Sequence, residues 1–411
     1  MASSFRKPNK GCATAMRKWV LFLVVSSTAL IMVGCSEKAK NPVGFGLVEE
    51  DHWQVSRVFT QDVLADSCID VCTGAGKGYH LLVGFWQGQE ARSLLLFSDS
   101  LQAEIQLPDT LLPLIGAKLT LMANVDANAL AGTDSLNVTV HEIRSAWDDS
   151  TVTWETPWSE PGGDFDPEPI AVGILADNAS DTLQLDFNTT GLELLAEWLQ
   201  GQSNNGLILK TIDPQSDNLK YLYTAPKLEL TFATSDTSDT TLSAEPDQDA
   251  FIVQPGAPIA EDFLCVSDGT VRRSWILFDL PTVPESVFVN RAVLSLSVSE
   301  FDSPLEQMTI RAYQVNDIET LAFNTSNYGS ASLFSGKDLL EFQITGLVQN
   351  WIYGMPNAGL IIKVAGEYQD ISSALFFTSA ADSLFRPTLT ITYTCPPTSK
   401  PTGQDRRRQK P

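Results

Sequence analysis

Few residues in this 411-residue sequence carry the side chains that catalysis needs. Only three histidines are present, His52, His80 and His141, and neither a Gly-x-Ser-x-Gly nucleophile motif nor a His-Glu-x-x-His metal motif occurs. No cluster of His, Tyr or Arg along one predicted sheet face can be recognised, although a carbohydrate-cleaving enzyme would need one. The sequence therefore predicts a protein that is not an enzyme.

An acidic loop carries the clearest pattern for a metal ion. Asp164, Asp166 and Glu168 alternate with other residues after a Gly-Gly pair, and carboxylate oxygens are the hard ligands that calcium prefers. A solvated acidic loop is the simpler interpretation and is favoured. Calcium is thus the one cofactor that the sequence suggests.

Aromatic side chains offer another kind of chemistry, because flat ring faces stack on the apolar faces of sugar rings. Trp154, Trp198 and Trp351 belong to the repeated framework described below and are predicted to lie in the core. Aromatic residues outside that framework are the candidates for contact with a carbohydrate, with packing or plain exposure as the favoured alternative. They are Trp86, Trp147, Trp158, Tyr328 and Tyr353.

The N-terminal segment has the layout of an export signal. Five positive charges precede an apolar run, 19–33, that is short for a membrane-spanning helix. The run ends at Gly34-Cys35, which resembles a lipobox, the site where a bacterial lipoprotein is cleaved and acylated. We expect a signal peptide at 1–34, a lipid on Cys35 and a polar tether at 35–51. Ser36 after the cysteine favours the outer membrane or cell surface.

The charge of the chain limits its partners. Losing residues 1–34 takes the formal net charge from −23 to −28. Such a surface repels nucleic acid and anionic lipid, because binding to polyanions depends on Lys and Arg. The lipid on Cys35 is therefore the only membrane contact expected, and no nucleic acid is expected as a partner.

The remaining cysteines suggest disulfides, since exported proteins meet an oxidising environment. Four are left after cleavage and acylation: Cys68, Cys72, Cys265 and Cys395. Four cysteines allow three pairings. A local bond between Cys68 and Cys72 and a bond between Cys265 and Cys395 make up one of these pairings, and buried thiols are the alternative.

A degenerate internal repeat dominates the rest of the chain. In both copies the distance from tryptophan to lysine is the same, from Trp198 to Lys210 and from Trp351 to Lys363. The matching segments are 92–97 with 273–278, 117–122 with 292–297, 136–141 with 308–313, 151–154 with 320–323, and 190–210 with 345–363. Two copies of one structural unit are predicted.

Each copy consists of short alternating segments rich in Val, Leu, Thr and Phe, which is typical of β-strands. Only 190–200 and 345–353 have helical spacing. The prediction is an all-β protein with two tandem jelly-roll-like β-sandwich domains, each with one short helix. Their predicted limits are 52–233 and 245–395, with a linker at 234–244 and a disordered tail at 396–411.

The repeated motifs resemble the DNRLRE-domain group, which includes family 96 carbohydrate-binding modules. The resemblance rests on the Arg-Ser-apolar-Phe strands, the Thr-Val-Thr-Trp segment at 151–154, the Thr-Gly-Leu…Trp…Gly…Asn-x-Gly…Lys blocks and the closing strand at 386–393. Phe323 stands where the group has Trp, and the first copy ends in Ala225-Pro226-Lys227 rather than in an Arg-Pro sequence. The resemblance implies a non-catalytic surface protein that binds a polysaccharide. The alternative is a structural or adhesive lipoprotein whose sandwiches act as spacers or contact another protein.

Overall fold

The computed structural model describes residues 56–71, 74–76, 78–97, 101, 113–131, 135–175, 182–212, 217–233, 239–280, 283–284 and 286–395. The described residues all belong to one compact unit. The predicted signal peptide, Cys35, the tether, Cys72 and the predicted tail at 396–411 lie outside the described residues.

The described chain is all-β, as predicted, with short helices between some of the strands. The strands are β1 (Ser56–Asp70), β2 (His80–Trp86), β3 (Gln89–Leu96), β4 (Leu114–Met122), β5 (Leu136–Glu142), β6 (Ala171–Leu175), β7 (Thr182–Asp186), β8 (Leu207–Thr211), β9 (Asn218–Tyr223), β10 (Lys227–Phe232), β11 (Thr240–Ala244), β12 (Gln248–Val253), β13 (Phe263–Ser267), β14 (Arg272–Phe278), β15 (Phe288–Asp302), β16 (Gln307–Asp317), β17 (Ala322–Phe334), β18 (Leu339–Gln343), β19 (Leu360–Val364), β20 (Ser373–Phe377) and β21 (Thr388–Thr394). The helices are α1 (Val125–Ala131), α2 (Thr189–Leu199) and α3 (Thr345–Ile352).

The first sandwich is built from two antiparallel sheets. One has the order β11-β10-β4-β7, and the other β6-β5-β8-β3-β2-β9 with β12 paired to β3. Alternate residues of both sheets point into a shared core, where Leu119 and Leu230 of the smaller sheet meet Val140 and Leu209 of the larger one. Burial of these apolar side chains holds the two layers together.

The second sandwich repeats this arrangement. Here β1 and β15 are long enough to belong to both layers: 56–62 pairs with β21 and 63–70 with β14, while β15 pairs with β21, β18 and β20. The order β21-β15-β18 matches β10-β4-β7, and β14-β19-β16 matches β3-β8-β5. The sequence repeat therefore corresponds to a repeat of strand order and register.

Two strands lie in a different sandwich from the one implied by the predicted limits. β1, within the predicted first domain, pairs with β14 and β21 of the second sandwich. β12, within the predicted second domain, pairs with β3 of the first, and the predicted linker contains β11, which pairs with β10. The chain thus exchanges edge strands between its two copies, because β1 and the β11–β12 pair occupy equivalent places.

The helices follow the prediction with one addition. Helix α2 begins after Asn188, whose side chain accepts a hydrogen bond from the Gly191 backbone N–H, an ordinary N-cap. Trp198 of α2 and Trp351 of α3 are buried, as predicted for the framework tryptophans. Helix α1 was not predicted; its seven residues pack against β9.

The two sandwiches share an interface within the compact unit. Trp86 Nε1 of the first donates to the Asp302 carboxylate of the second at 3.0 Å, and the Tyr221 hydroxyl donates to Asp370. An apolar cluster that includes Phe251 and Ile371 lies between them. The copies are therefore joined by packing and polar contacts as well as by the exchanged strands.

Candidate functional site

The strand register places a row of polar side chains on the outer face of each larger sheet. In the first copy, Thr139 on β5 is opposite Lys210 on β8, and the pairing of Ser93 with Leu209 brings Arg92 on β3 beside Lys210. Residues on one face of neighbouring strands contact each other across the ladder. We call the group formed by Arg92, Thr139, His141, Trp154, Phe165 and Lys210 the first outer cluster.

The second copy carries the equivalent group. Arg311 on β16 is opposite Lys363 on β19, and the pairing of Ser274 with Ile362 brings Arg273 beside Lys363. The second outer cluster consists of Arg273, Arg311, Tyr313, Phe323, Tyr328 and Lys363. Five of its members stand at the repeat positions of the first cluster, and Tyr328 of β17 is the addition.

In the first outer cluster, Arg92 is held on all sides. Its guanidinium makes two hydrogen bonds to Glu90, at 2.8 and 2.6 Å, and donates to the Gly162 carbonyl at 2.6 Å. The ring of Trp154 stacks on it, with 4.6 Å from guanidinium carbon to ring centroid. Gly162 has φ +94°, and a Cβ there would lie 2.7 Å from the Arg92 Nη1, so the covering loop requires glycine at this point.

His141 of this cluster is also fully engaged. Its Nδ1 is 2.8 Å from the Asp166 carbonyl oxygen and its Nε2 is 2.9 Å from the Thr139 hydroxyl. Burial lowers its pKa, which favours the neutral ring. His141 therefore packs on the sheet face, and both of its ring nitrogens already have hydrogen-bond partners.

The second outer cluster is more open and more cationic. Arg273 makes two hydrogen bonds to Glu367, at 2.8 and 2.7 Å, and Lys363 Nζ lies 2.9 Å from the same carboxylate. Arg311 has no carboxylate partner among the described residues; it stacks over Tyr328 at 4.4 Å, and its Nε is buried without a hydrogen-bond partner. Arg273 and Lys363 thus share one carboxylate, and Arg311 adds a third cation that contacts none of the described carboxylates.

Three aromatic rings accompany these cations. The ring centroid of Tyr313 lies 5.1 Å from that of Phe323 and 5.3 Å from that of Tyr328, and the interplanar angles are 41° and 52°. Tyr313 is buried, whereas Tyr328 is 41% exposed. A ring face beside a guanidinium is thus available to solvent at the second cluster.

A shallow cleft overlies the first outer cluster. It has a volume of about 600 Å³ and is lined by Arg92, Arg144, Ser159, Asp164 and Phe165, among others. The long connection from β5 to β6 forms its wall, while the equivalent connection in the second copy is a short β16–β17 hairpin. The difference in loop length explains why the second cluster is the more open of the two.

Sequence reasoning missed both clusters. No cluster of His, Tyr or Arg along one sheet face was expected, yet Arg, Lys and aromatic side chains converge on one face in each copy. Arg92 and Arg273 occupy matched positions of the repeat, and so do Lys210 and Lys363. All four stand at strand positions that belong to the outer, polar face of the sheet. That shared position in the repeat was the available signal, but the register of non-consecutive strands was needed to bring them together.

The predicted sugar-contacting residues do not form one surface. Trp147 and Trp158 are buried, and their ring N–H groups donate to the Asn205 and Thr153 carbonyls at 2.9 and 2.8 Å. They therefore present no open ring face, because both rings pack beneath the first copy's loop.

The other three predicted residues are more accessible. Trp86 is half-buried and bonded to Asp302 at the interface between the sandwiches. Tyr328 belongs to the second outer cluster. Tyr353 is 62% exposed after α3, and no ring contact joins it to Tyr328 in the described part of the chain.

The predicted calcium ligands have other partners. Asp164 accepts from the Ser159 and Ser145 hydroxyls at 2.7 Å, and these and backbone N–H donors lower its pKa far below its usual range. Asp166 pairs with Arg144 at 2.6 Å; Glu168 is exposed and donates its backbone N–H to Asp166. Among the described residues, no group of three or more His, Cys, Asp or Glu side chains is placed to hold a metal ion.

Three of the four cysteines predicted to form disulfides lie within the described residues, and Cys72 does not. Cys68, Cys265 and Cys395 are free thiols. The thiol contact in the structure joins Cys68 to Cys265, which is neither the local bond to Cys72 nor the bond from Cys265 to Cys395.

Comparison with known proteins adds no relative. No family model matches the chain, and no curated protein matches it significantly. No helix among the described residues is long and apolar enough to cross a membrane.

Proposed function

We propose that this protein is a non-catalytic, lipid-anchored surface protein whose β-sandwiches bind a polysaccharide through the second outer cluster. The observation that carries the proposal is the exposed Tyr328 ring beside the Arg311 guanidinium, which donates to the Tyr313 hydroxyl at 3.5 Å and has no carboxylate partner among the described residues. The lipobox at Cys35 and the resemblance to the DNRLRE group support it from the sequence.

The chemistry of the cluster fits a sugar chain. The exposed face of Tyr328 is suited to stack on a pyranose ring, and the guanidinium and ammonium donors around it are suited to hydroxyl or carboxylate oxygens. Because Arg273 and Lys363 share the Glu367 carboxylate and Arg311 has no carboxylate partner among the described residues, the cluster is a local positive site on an acidic protein. A polysaccharide that carries carboxylates therefore fits this site better than a neutral one.

The test measures retention of the purified protein in gels that contain neutral or uronic-acid polysaccharides, followed by titration calorimetry on those that retain it. Tyr328→Ala should weaken binding about fivefold, since an aromatic contact contributes about 1 kcal/mol. Tyr353→Ala is the matched control, because it removes a tyrosine outside the cluster that is even more exposed than Tyr328, and it should leave affinity unchanged.

Two results would count against the proposal. The first is no retention on any polysaccharide. The second is an equal loss with both tyrosine variants, which would remove the second outer cluster from the binding surface.

A structural or adhesive role is the second candidate function. The exchange of β1 and β12 favours it, because it ties the two sandwiches into one unit, as a spacer between a membrane and another surface requires. Retention on no polysaccharide, together with binding to a purified surface protein, would select this role.

A further inference from the structure

Cys68 and Cys265 lie on two strands that meet at the edge of the second sandwich. In β1, Cys68 is directly opposite Ser274 of β14. The Ser274 hydroxyl in turn donates to the Cys265 carbonyl of β13 at 2.7 Å. Directly opposite residues place their side chains on the same side of a sheet, so Cys68 is directed toward the strand that carries Cys265. The Cys68 Sγ lies 4.0 Å from the Cys265 carbonyl oxygen.

In the first copy, the residues equivalent to Cys68 and Cys265 belong to one packed cluster. There, Phe251 of β12 is opposite Ser93, and the Ser93 hydroxyl donates to the Leu82 carbonyl at 2.9 Å. Phe251 and Leu82 are both buried in one apolar cluster. The second copy replaces this packed apolar pair with Cys68 and Cys265.

We propose that Cys68 and Cys265 form a disulfide that fixes the exchanged strand β1 in the second sandwich. The bond joins residues 197 positions apart in the chain, and it is independent of the proposed polysaccharide binding. Because the two residues are already in contact, an S–S bond of about 2.05 Å requires only local adjustment.

The surroundings suit the two thiols to different roles. A hydrogen bond with the Cys265 side chain, and the positive charge of Arg272, lower the pKa of Cys68 to about 7 against the opposing effect of burial. The same contact with Cys68, together with burial, raises the pKa of Cys265. Cys68 is exposed and Cys265 is 1% exposed, so Cys68 is the thiol that an external reagent reaches as a thiolate.

The oxidant is a small disulfide, which is reduced to two thiols while the cysteine pair is oxidised. The Cys68 thiolate attacks one sulfur of the reagent and expels the first thiolate, leaving a mixed disulfide on Cys68. Cys265 loses its proton to solvent, attacks the Cys68 sulfur and expels the second thiolate. Two electrons pass from the protein thiols to the reagent.

The experiment treats the reduced full chain with oxidised glutathione and maps the bonds by non-reducing digestion and mass spectrometry. We expect a linked pair of peptides containing Cys68 and Cys265, with the loss of two hydrogen atoms. Oxidation should also raise Tm by on the order of 5 °C. Cys395→Ser is the matched control and should give the same linked peptides and the same shift.

Two variants separate the steps without relying on stability. Cys265→Ser should hold the glutathione adduct on Cys68, because the second thiol is missing, and Cys68→Ser should leave Cys265 unmodified in the folded protein. Oxidised protein in which Cys68 is linked to Cys72, or in which Cys68 carries glutathione while Cys265 remains reduced, would overturn the proposal.

Discussion

At the scale of single residues, Glu367 determines the charge balance of the second outer cluster. Its carboxylate contacts both Arg273 and Lys363, and its own side chain is only 9% exposed. Removing it would leave two partly buried cations without a counter-charge, and an unpaired buried charge is more costly than the pair it belonged to.

Glu367→Gln should therefore lower the free energy of unfolding by about 2 kcal/mol, as measured by urea denaturation. Asp186→Asn provides the comparison, because Asp186 is 81% exposed and lies 3.9 Å from Lys118, where solvent screens the pair. We expect little change there. Equal effects in the two variants would mean that Glu367 contributes no more than a surface charge.

At the scale of elements, the exchanged strand β12 carries a carboxyl group, that of Asp249, whose pKa is raised in the folded protein. Burial, and then the nearby charge of Asp149, raise the pKa of Asp249 to about 6 from a usual 3.8. The folded state holds this proton more tightly than the unfolded state. Its contribution to stability is therefore present below about pH 4 and is lost as the pH rises to about 6.

Asp249→Asn should remove this loss and raise the free energy of unfolding at pH 7 by on the order of 1 kcal/mol, after allowance for solvent screening. The wild-type and variant curves should converge near pH 4 when unfolding is measured across the pH range. Asp149→Asn removes only the smaller cause, so its gain should be smaller. A larger gain from Asp149→Asn than from Asp249→Asn would contradict this order of causes.

The elements also show how far the sequence was informative. Alternation and the repeat were sufficient to predict an all-β fold with helices near 190–200 and 345–353, because both signals are local. They could not assign β1 and β12 to a sandwich, since backbone hydrogen bonds in a ladder are alike for any strand. Trp147 and Trp158 illustrate a related limit: their burial depends on a loop whose path no local pattern fixes.

At the scale of the whole molecule, the exchange of edge strands determines which fragments of the chain contain a complete sandwich. A fragment of residues 72–254 contains β2 to β12 and therefore every strand of the first sandwich. A fragment of residues 52–233, which follows the predicted limits, lacks β11 and β12 and leaves the edges of β10 and β3 unpaired.

We expect the 72–254 fragment to unfold cooperatively in a thermal melt followed by circular dichroism, and the 52–233 fragment to melt at least 10 °C lower or without a transition. Each edge strand contributes buried side chains as well as hydrogen bonds; Phe251 and Ile252 of β12 are both buried. If the 52–233 fragment proved as stable as the 72–254 fragment, β12 would not contribute to the stability of the first sandwich.

The position of β1 also has a consequence for the order of events during synthesis. This strand precedes the rest of the described chain, yet its partners β14 and β21 end at Phe278 and Thr394. The first sandwich can fold once residue 253 has left the ribosome. In contrast, β1 cannot complete its pairing until β21, the last strand of the chain, has been synthesised. Contacts so distant in sequence form slowly, and a waiting strand keeps two edges free to pair. During that interval the β1 strand of one molecule can complete the second sandwich of another, so we expect crowding of nascent chains to favour intertwined dimers over the self-closed monomer.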